Sequence, residues 1–499
     1  MRQAFDEFNF LPPLFKVFGG GKSLPPMIKF GLLDILAVFI ILASSFSVRF
    51  HKIDFPDKVV FDEVYFAYFA EQYNSRKFFF DIHPAFGRLF LYSSVKMIGH
   101  DFNCKPRVSE RWGNCSYTKL RIPPAFCGSL VPAVLFFAIR FMGCNTAISF
   151  GCSFVLSLDG SFFLHSKYSL IDAILHFFAA LSILSLFINA RTLVYSRGWW
   201  ISLIIHSIFV GLTASIKHTA LGILVFSAFW SFVVSESFRT QITRIFILLF
   251  GYVFCNLSTT AAHVIILQHH GQDETYVSLN YSYYLTLVND PPIIKQIGIL
   301  EYVKSIAIRT IELTTMTFLA TNRVPAEHPS SSSWYEWPLG IGRPVRFIHE
   351  TNALMCAMFN PVSHILSFLS FIVAVFSFSG NNLVSTLVIG YLANWLPFSL
   401  IGRACFAYHY AIPLEFLLCL MAVNLQRFNS EYFQSFIITF LFLTSIIVFI
   451  WFSPYYYYTK QEDITHRLFY PTWRSLGSTP DLNYTVLNTA VQLDITKKH

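Results

Sequence analysis

Apolar residues in this 499-residue chain gather into separate stretches of about 18 to 25, the length at which a helix crosses the hydrocarbon core of a bilayer. These stretches begin near Ile28, Arg121, Thr146, Leu170, Trp199, Lys217, Arg244, Asn360, Asn382, Cys405 and Tyr432, about eleven in all. Charged residues make up 13% of the chain, against roughly 25% in a soluble domain. A soluble chain of this length divides into several cores, and too few charges are present to give each one a wetted shell. The pattern therefore predicts an all-α, polytopic membrane protein.

Basic residues outnumber acidic ones by a net +8. They stand singly between the apolar stretches, which suits topology signals and an anionic lipid headgroup better than a DNA-binding face. Residues 1–27, with Arg2, Lys16 and Lys22, read as a cytosolic arm before a signal anchor. Arg140, Arg191, Arg197, Arg239, Arg244 and Arg427 fall in alternate short connections and mark those as cytosolic. The N-terminus is then cytosolic and the C-terminus luminal.

This organisation divides the chain into transmembrane blocks at 28–268 and 359–452, with luminal segments at 48–119, 269–358 and 453–499. The sequons at Asn114, Asn280 and Asn483 fall in those luminal segments, whereas Asn256 lies inside an apolar stretch. Cys104 and Cys115 flank the polar stretch DFNCKPRVSERWGNCS and are the pair expected to form a disulfide if it is luminal. The other cysteines lie in or beside apolar stretches, and neither C-x-x-C spacing nor a dense His or carboxylate cluster indicates a metal.

Within 48–119, residues 61–80 and 84–99 carry aromatic and aliphatic side chains at helical spacing among charges, as in amphipathic helices on a membrane surface. The first opens with Asp62 and Glu63. Adjacent carboxylates on a helix point about 100° apart, so one can face a reaction centre while the other holds a ligand or the helix end. Two acids at a helix N-terminus also have a purely structural use against the helix dipole. Downstream, FFFDIHPAFGRLF brings Asp81, His83, Pro84 and Arg88, with Pro84 suited to a first helical turn and Asp81 to its cap. Arg121, Lys217 and Arg403 stand where polar loops meet apolar stretches on the luminal side, against the positive-inside bias. Such cations either snorkel to headgroups or bind an anionic ligand in the membrane.

FDEVYFAYFAEQYNSRKFFFDIHPAFGRLF resembles the first luminal loop of the protein O-mannosyltransferases. RIPPAFCGSLVPAVLF, LDGSFFLHSKYSLIDAILHFF, GLTASIKHTALGI, HPSSSSWYEWPL, FNPV and GRACFAYHYAIP follow in the family's order over about residues 28–455. Tyr65 and Ser166–Lys167 depart from the family pattern. The loop at 269–358 is too short to hold the β-trefoil MIR domain of many eukaryotic members together with HPSSSSWYEWPL, so the chain resembles a short form.

The resemblance implies a GT-C-type fold and transfer of mannose from dolichyl phosphate β-D-mannose to Ser/Thr hydroxyls of proteins in the endoplasmic reticulum lumen, with inversion in one displacement. It makes Asp62 the general base and has Glu63 orient sugar or acceptor. Arg121 is then the first choice for the donor phosphate, with Arg403 and Lys217 beside it. His83, Arg88, His328 and His409 are expected near the substrates, and Trp334 and Trp337 at the membrane interface. No cofactor is implied beyond the lipid-linked donor. The expected partners are that donor, Ser/Thr-containing polypeptides, membrane lipids and a second family member in a homo- or heterodimer. The competing readings are a related enzyme acting on a lipid or glycan, an inactive partner subunit, and a transporter.

Overall fold

The computed structural model describes residues 28–476 apart from 236, 321–327, 351, 377–380 and 475; the arm 1–27, Asn483 and most of the tail lie outside the described residues. Its first half runs α1 (Leu32–Phe50), α2 (Glu63–Ser75), α3 (Phe86–Met97), α4 (Tyr117–Phe141), α5 (Thr146–Leu158), α6 (Gly160–Lys167), α7 (Asp172–Ala190), α8 (Arg197–Ala214), α9 (Leu221–Val234) and α10 (Phe238–Ile266). Short helices α11 (Leu279–Tyr283) and α12 (Ile293–Ile297) lead to α13 (Ile299–Ala320) and an antiparallel hairpin, β1 (Arg346–Glu350) with β2 (Ala353–Cys356). The chain closes with α14 (Pro361–Phe376), α15 (Asn382–Trp395), α16 (Ala411–Arg427), α17 (Glu431–Tyr456) and α18 (Pro471–Arg474).

Among the described residues, eight helices are long and apolar enough to cross a bilayer, and the bent pair α5–α6 makes up to nine. Two shorter apolar helices, His218–Val234 and Pro361–Phe376, occupy the remaining stretches read from the sequence. α16 is buried on all sides at the centre, while α1, α10 and α17 present apolar side chains outward, as lipid-facing helices do.

The spans break at polar residues. Asp159 ends α5 in an extended conformation and caps α6, its carboxylate accepting from the Phe162 N–H at 3.0 Å, and the two helices meet at 56°. Gly160 follows because the Tyr456 hydroxyl of α17 lies 1.9 Å from where a Cβ would stand. Lys217 is likewise extended (φ −143, ψ 138) between α8 and the 3-10 turn His218–Ala220. Both breaks keep polar side chains inside the bundle.

α2 and α3 lie where amphipathic helices were expected, with one difference at their junction. Ala85, not Asp81, stands at the N-cap of α3, so Pro84 precedes the helix. Asp81 instead forms an ion pair with Arg88 in the first turn of α3. The segment 269–358 was expected to be loop and carries the 22-residue helix α13, packed against α10.

Candidate active site

Phe61 adopts the left-handed conformation (φ 46) immediately before the acid pair. Its ring holds that strained geometry by packing on Phe347 of β1 (5.1 Å), His165 (6.2 Å) and Tyr408 (6.4 Å). The turn starts α2 with Asp62 at its N-cap and Glu63 at its first position, and the two carboxylates diverge.

Glu63 is fully buried. Its Oε1 accepts from Arg121 Nε (2.8 Å) and the Ser169 N–H (3.0 Å), and its Oε2 from Arg121 Nη2 (2.9 Å) and the Val60 N–H (3.2 Å). Arg121 gives its other donors to backbone carbonyls of Ile53 (3.1 Å), Pro56 (3.0 Å) and Lys58 (3.1 Å). Every N–H of the guanidinium is thereby used, and its faces are covered by Tyr117 and Tyr168 at 5.0 and 4.8 Å. This corrects two expectations. Arg121 is not open to a phosphate, and Glu63 does not reach toward sugar or acceptor; together they clamp the loop to α4.

Asp62 is the opposite case. Its backbone carbonyl accepts from Tyr65 and Phe66, but its carboxylate makes no cap bond and has no partner among the described residues. Burial raises its pKa from the usual 3.8 to about 7; Lys217 pulls it down, while Asp172 and Asp81 push it up. A carboxylate poised near neutrality is suited to take up a proton.

Of the other titratable groups here, Lys217, Asp172, Arg88 and Asp81 are paired, His83 is neutral, and Arg403 has no acid beside it among the described residues. Lys217 Nζ donates to Asp172 Oδ1 at 2.7 Å and lies 5.3 Å from the Tyr408 ring centre. Arg88 pairs with Asp81 and sits between Phe69 and Phe79, each at 5.5 Å, which occupies it in fastening α2 to α3. His83 is half-buried, and burial drives its pKa down to about 3, with Lys217, Arg403 and Arg88 acting the same way against Asp81. It is therefore a neutral imidazole. Arg403, half-buried ahead of the 3-10 turn Ala407–Tyr410, has no acid partner among the described residues, and its buried Nε lacks a hydrogen-bond partner.

Below this group lies a small cavity lined in part by Asp172, His176, Asn394, Phe398, Tyr408 and His409. His409 Nδ1 accepts from the Phe406 N–H (3.0 Å), and its ring stacks on Phe398 at 5.1 Å. His328 stands further along, its ring 5.0 Å from Phe406 and its Nδ1 accepting from the Ser330 N–H (3.1 Å); burial and Arg346 lower its pKa to about 4. It does not line the cavity. Trp337, expected at an interface, is fully buried against Phe398, and Trp334 packs on Trp395 at 5.2 Å. Cys104 and Cys115 form a disulfide, so the nearby His100–Asp101–Cys104 group offers no free thiolate to a metal. Asn114 and Asn280 are exposed.

The sequence reading missed Asp172 and Tyr408. Asp172 left a signal, a lone acid within the apolar run YSLIDAILHFF, and such residues are costly unless functional or paired.

Two family models match the chain: "Dolichyl-phosphate-mannose-protein mannosyltransferase" over residues 39–267, and "C-terminal four TMM region of protein-O-mannosyltransferase" over residues 309–473. The chain belongs to the protein O-mannosyltransferase family. It is 28% identical over 326 residues to dolichyl-phosphate-mannose–protein mannosyltransferase 4 of Schizosaccharomyces pombe, covering 62% of this chain and 40% of that protein. It is 26% identical over 276 residues to protein O-mannosyl-transferase 2 of Danio rerio, covering 52% of this chain and 36% of the relative. The chain thus spans well under half the length of these relatives. The solved protein O-mannosyltransferase Pmt1-Pmt2 complex of Saccharomyces cerevisiae, bound to the sugar donor, shares the fold: TM-score 0.78 at 14% identity, covering 96% of each chain. Both matched segments of this mannosyltransferase-family chain contribute to the site. Asp62, Asp172 and Lys217 come from the first, and Arg403, Tyr408 and His409 from the second.

Proposed function

We propose that this chain transfers mannose from dolichyl phosphate β-D-mannose to Ser/Thr hydroxyls of polypeptides by a single inverting displacement. The observation that carries this is the Asp62 carboxylate, which among the described residues of this group is held by no cation or donor and has a pKa near 7. Asp62 accepts the hydroxyl proton as the acceptor oxygen bonds to the anomeric carbon. The bond from that carbon to the phosphate oxygen breaks, and its electron pair leaves with dolichyl phosphate. A double displacement needs a second carboxylate as nucleophile. Glu63, Asp81 and Asp172 are each tied to a cation, which favours the single step.

Arg403, with no acid beside it, is the residue we assign to the donor phosphate. Lys217 adds less because Asp172 already offsets its charge. His409 and Tyr408 line the cavity against which the sugar would rest, and neutral His83 is placed to hydrogen-bond a substrate oxygen. The reaction needs no cofactor beyond the lipid-linked donor. The same reading assigns the endoplasmic reticulum membrane, a cytosolic N-terminus, a luminal C-terminus and a homo- or heterodimer with another family member. The exposed sequons at Asn114 and Asn280 are consistent with luminal placement of their loops.

The test is transfer of labelled mannose from dolichyl phosphate mannose to a Ser/Thr-rich peptide, in membranes bearing wild-type or Asp62→Asn protein. Peptide labelling that requires Asp62 supports the proposal. Label that appears in lipid or glycan, with none in peptide, moves the assignment to the related lipid-phosphate-dependent enzymes.

A further inference from the structure

Helix α13 (Ile299–Ala320) has the burial pattern of a water-exposed helix turned inside out. Its inward face carries Ser305, Arg309, Thr310, Leu313 and Thr317, mostly polar. Its outward face carries Leu300 (86% exposed), Ile311 (63%) and Phe318 (60%), with Ile299, Val303 and Leu319 beside them. A helix on a soluble surface shows the reverse arrangement.

Ser305, Arg309 and Thr317 are engaged on the inward side, whereas Thr310 Oγ1 has no hydrogen-bond partner. Arg309 lies between the rings of Tyr281 and Tyr284, each at 5.5 Å. On the helix flanks, Glu312 accepts from the N–H (2.6 Å) and hydroxyl (2.9 Å) of Ser278, and Glu301 accepts from the Tyr284 hydroxyl (2.9 Å). The helix is therefore held in this rotation by its polar side, and the apolar side faces away from the protein. It packs on α10, whose own outward side chains Phe246, Phe250 and Phe254 belong to the lipid-facing belt. The two apolar faces are borne by packed helices, and Lys304 is exposed beside the stripe, where a cation can reach headgroups.

We propose that α13 is a membrane-embedded helix whose outward face rests in the acyl chains of the leaflet on the active-site side. The C-terminal end of the helix fixes which side that is. Phe318 meets the ring of His218 at 5.3 Å, and His218 adjoins Lys217. The depth of α13 in the leaflet thus sets the height of the Lys217–Asp172 pair relative to the lipid headgroups. Interfacial helices bind through buried apolar area in this way.

The experiment places a photoreactive phenylalanine analogue at Leu300 or Ile311 of the full chain in native membranes and identifies adducts by mass. Phe246 on α10 serves as the lipid-facing reference and exposed Glu110 as the aqueous one. Lipid adducts at 300 and 311 comparable to those at 246, and at least about tenfold above 110, are expected for a helix buried at the interface. Adducts to a second polypeptide overturn the proposal and identify the face as a protein interface. Lipid labelling at 246 without any at 300 or 311 overturns it in favour of water. If the Ile311 variant does not accumulate, Val303, 57% exposed, replaces it. The readout does not depend on mannose transfer, so it is independent of the reaction proposed above.

Discussion

Replacing Asp62 by asparagine separates what the carboxylate does for the reaction from what it costs the fold. Burial holds the Asp62 carboxyl near 7 instead of 3.8. At about 1.36 kcal/mol per pH unit, the ionised form is disfavoured in the folded chain by up to about 4 kcal/mol relative to the unfolded one. Between about pH 4 and pH 7 the folded state therefore holds a proton that the unfolded state has lost. Stability falls as pH rises through that window and levels off above about 7. Asparagine cannot ionise. Asp62→Asn should match wild type below about pH 4, gain on it steadily up to about pH 7, and keep a constant lead beyond.

The same substitution removes the proposed proton acceptor, so transfer should fall by about 10²- to 10⁴-fold. Wild-type transfer should rise with pH toward a plateau above about 7 as Asp62 ionises. Thermal unfolding of purified wild-type and variant protein, measured across that pH range beside peptide mannosylation, reads both effects. A variant that is less stable than wild type at about pH 8, or whose advantage does not change with pH, would refute the burial argument. Undiminished transfer would refute the base.

Three further outcomes follow from the pairing around Asp62. Glu63→Gln and Arg121→Met should each destabilise the fold by about 3 to 5 kcal/mol, since each leaves a buried charge unpaired, and the double variant should lose less than the sum; unfolding midpoints would check this. Arg403→Gln should raise the donor KM by roughly 10- to 100-fold, the worth of about 1.5 to 3 kcal/mol for a charged hydrogen bond, with stability little changed. Donor titration of the transfer rate measures it, and an unaltered KM would remove Arg403 from the phosphate site. Lys217→Met takes away the cation that lowers the Asp62 pKa, so the rising limb of the pH–rate profile should move to higher pH.

The sequence makes the spans legible because hydrocarbon thickness dictates their length. It makes Asp62 and Arg403 visible because charges near a membrane face are scarce. What it hides is partnership. Glu63 and Arg121 stand 58 positions apart, and only the fold turns them toward each other. The resemblance put Glu63 near the substrates beside Asp62, whereas the fold engages its carboxylate with Arg121. Trp337 lies in WYEWPL beside polar residues and so reads as interfacial, yet its N–H reaches Ser332 Oγ at 2.8 Å and the ring can be buried whole. α13 escaped for a related reason. Arg309, Glu312 and its threonines dilute the apolar pattern, and only the packed structure shows that they fall on the inward side or flanks.

Charge pairing supplies the selectivity of the site. Arg121 holds Glu63, Arg88 holds Asp81 and Lys217 holds Asp172. Each pair engages its acid and leaves its cation less free to hold a phosphate. At this site, among the described residues, the groups left without an oppositely charged partner are Asp62 and Arg403. The substrates of the proposed reaction, a mannosyl phosphate and a hydroxyl, bring the complementary needs, an anion to be held and a proton to be removed. Adding a free acid beside Arg403 would defeat the first, and freeing Lys217 beside Asp62 would defeat the second by lowering the basicity of the carboxylate. Under the proposed reaction, the three closed pairs leave Asp62 to take the proton and Arg403 to hold the phosphate.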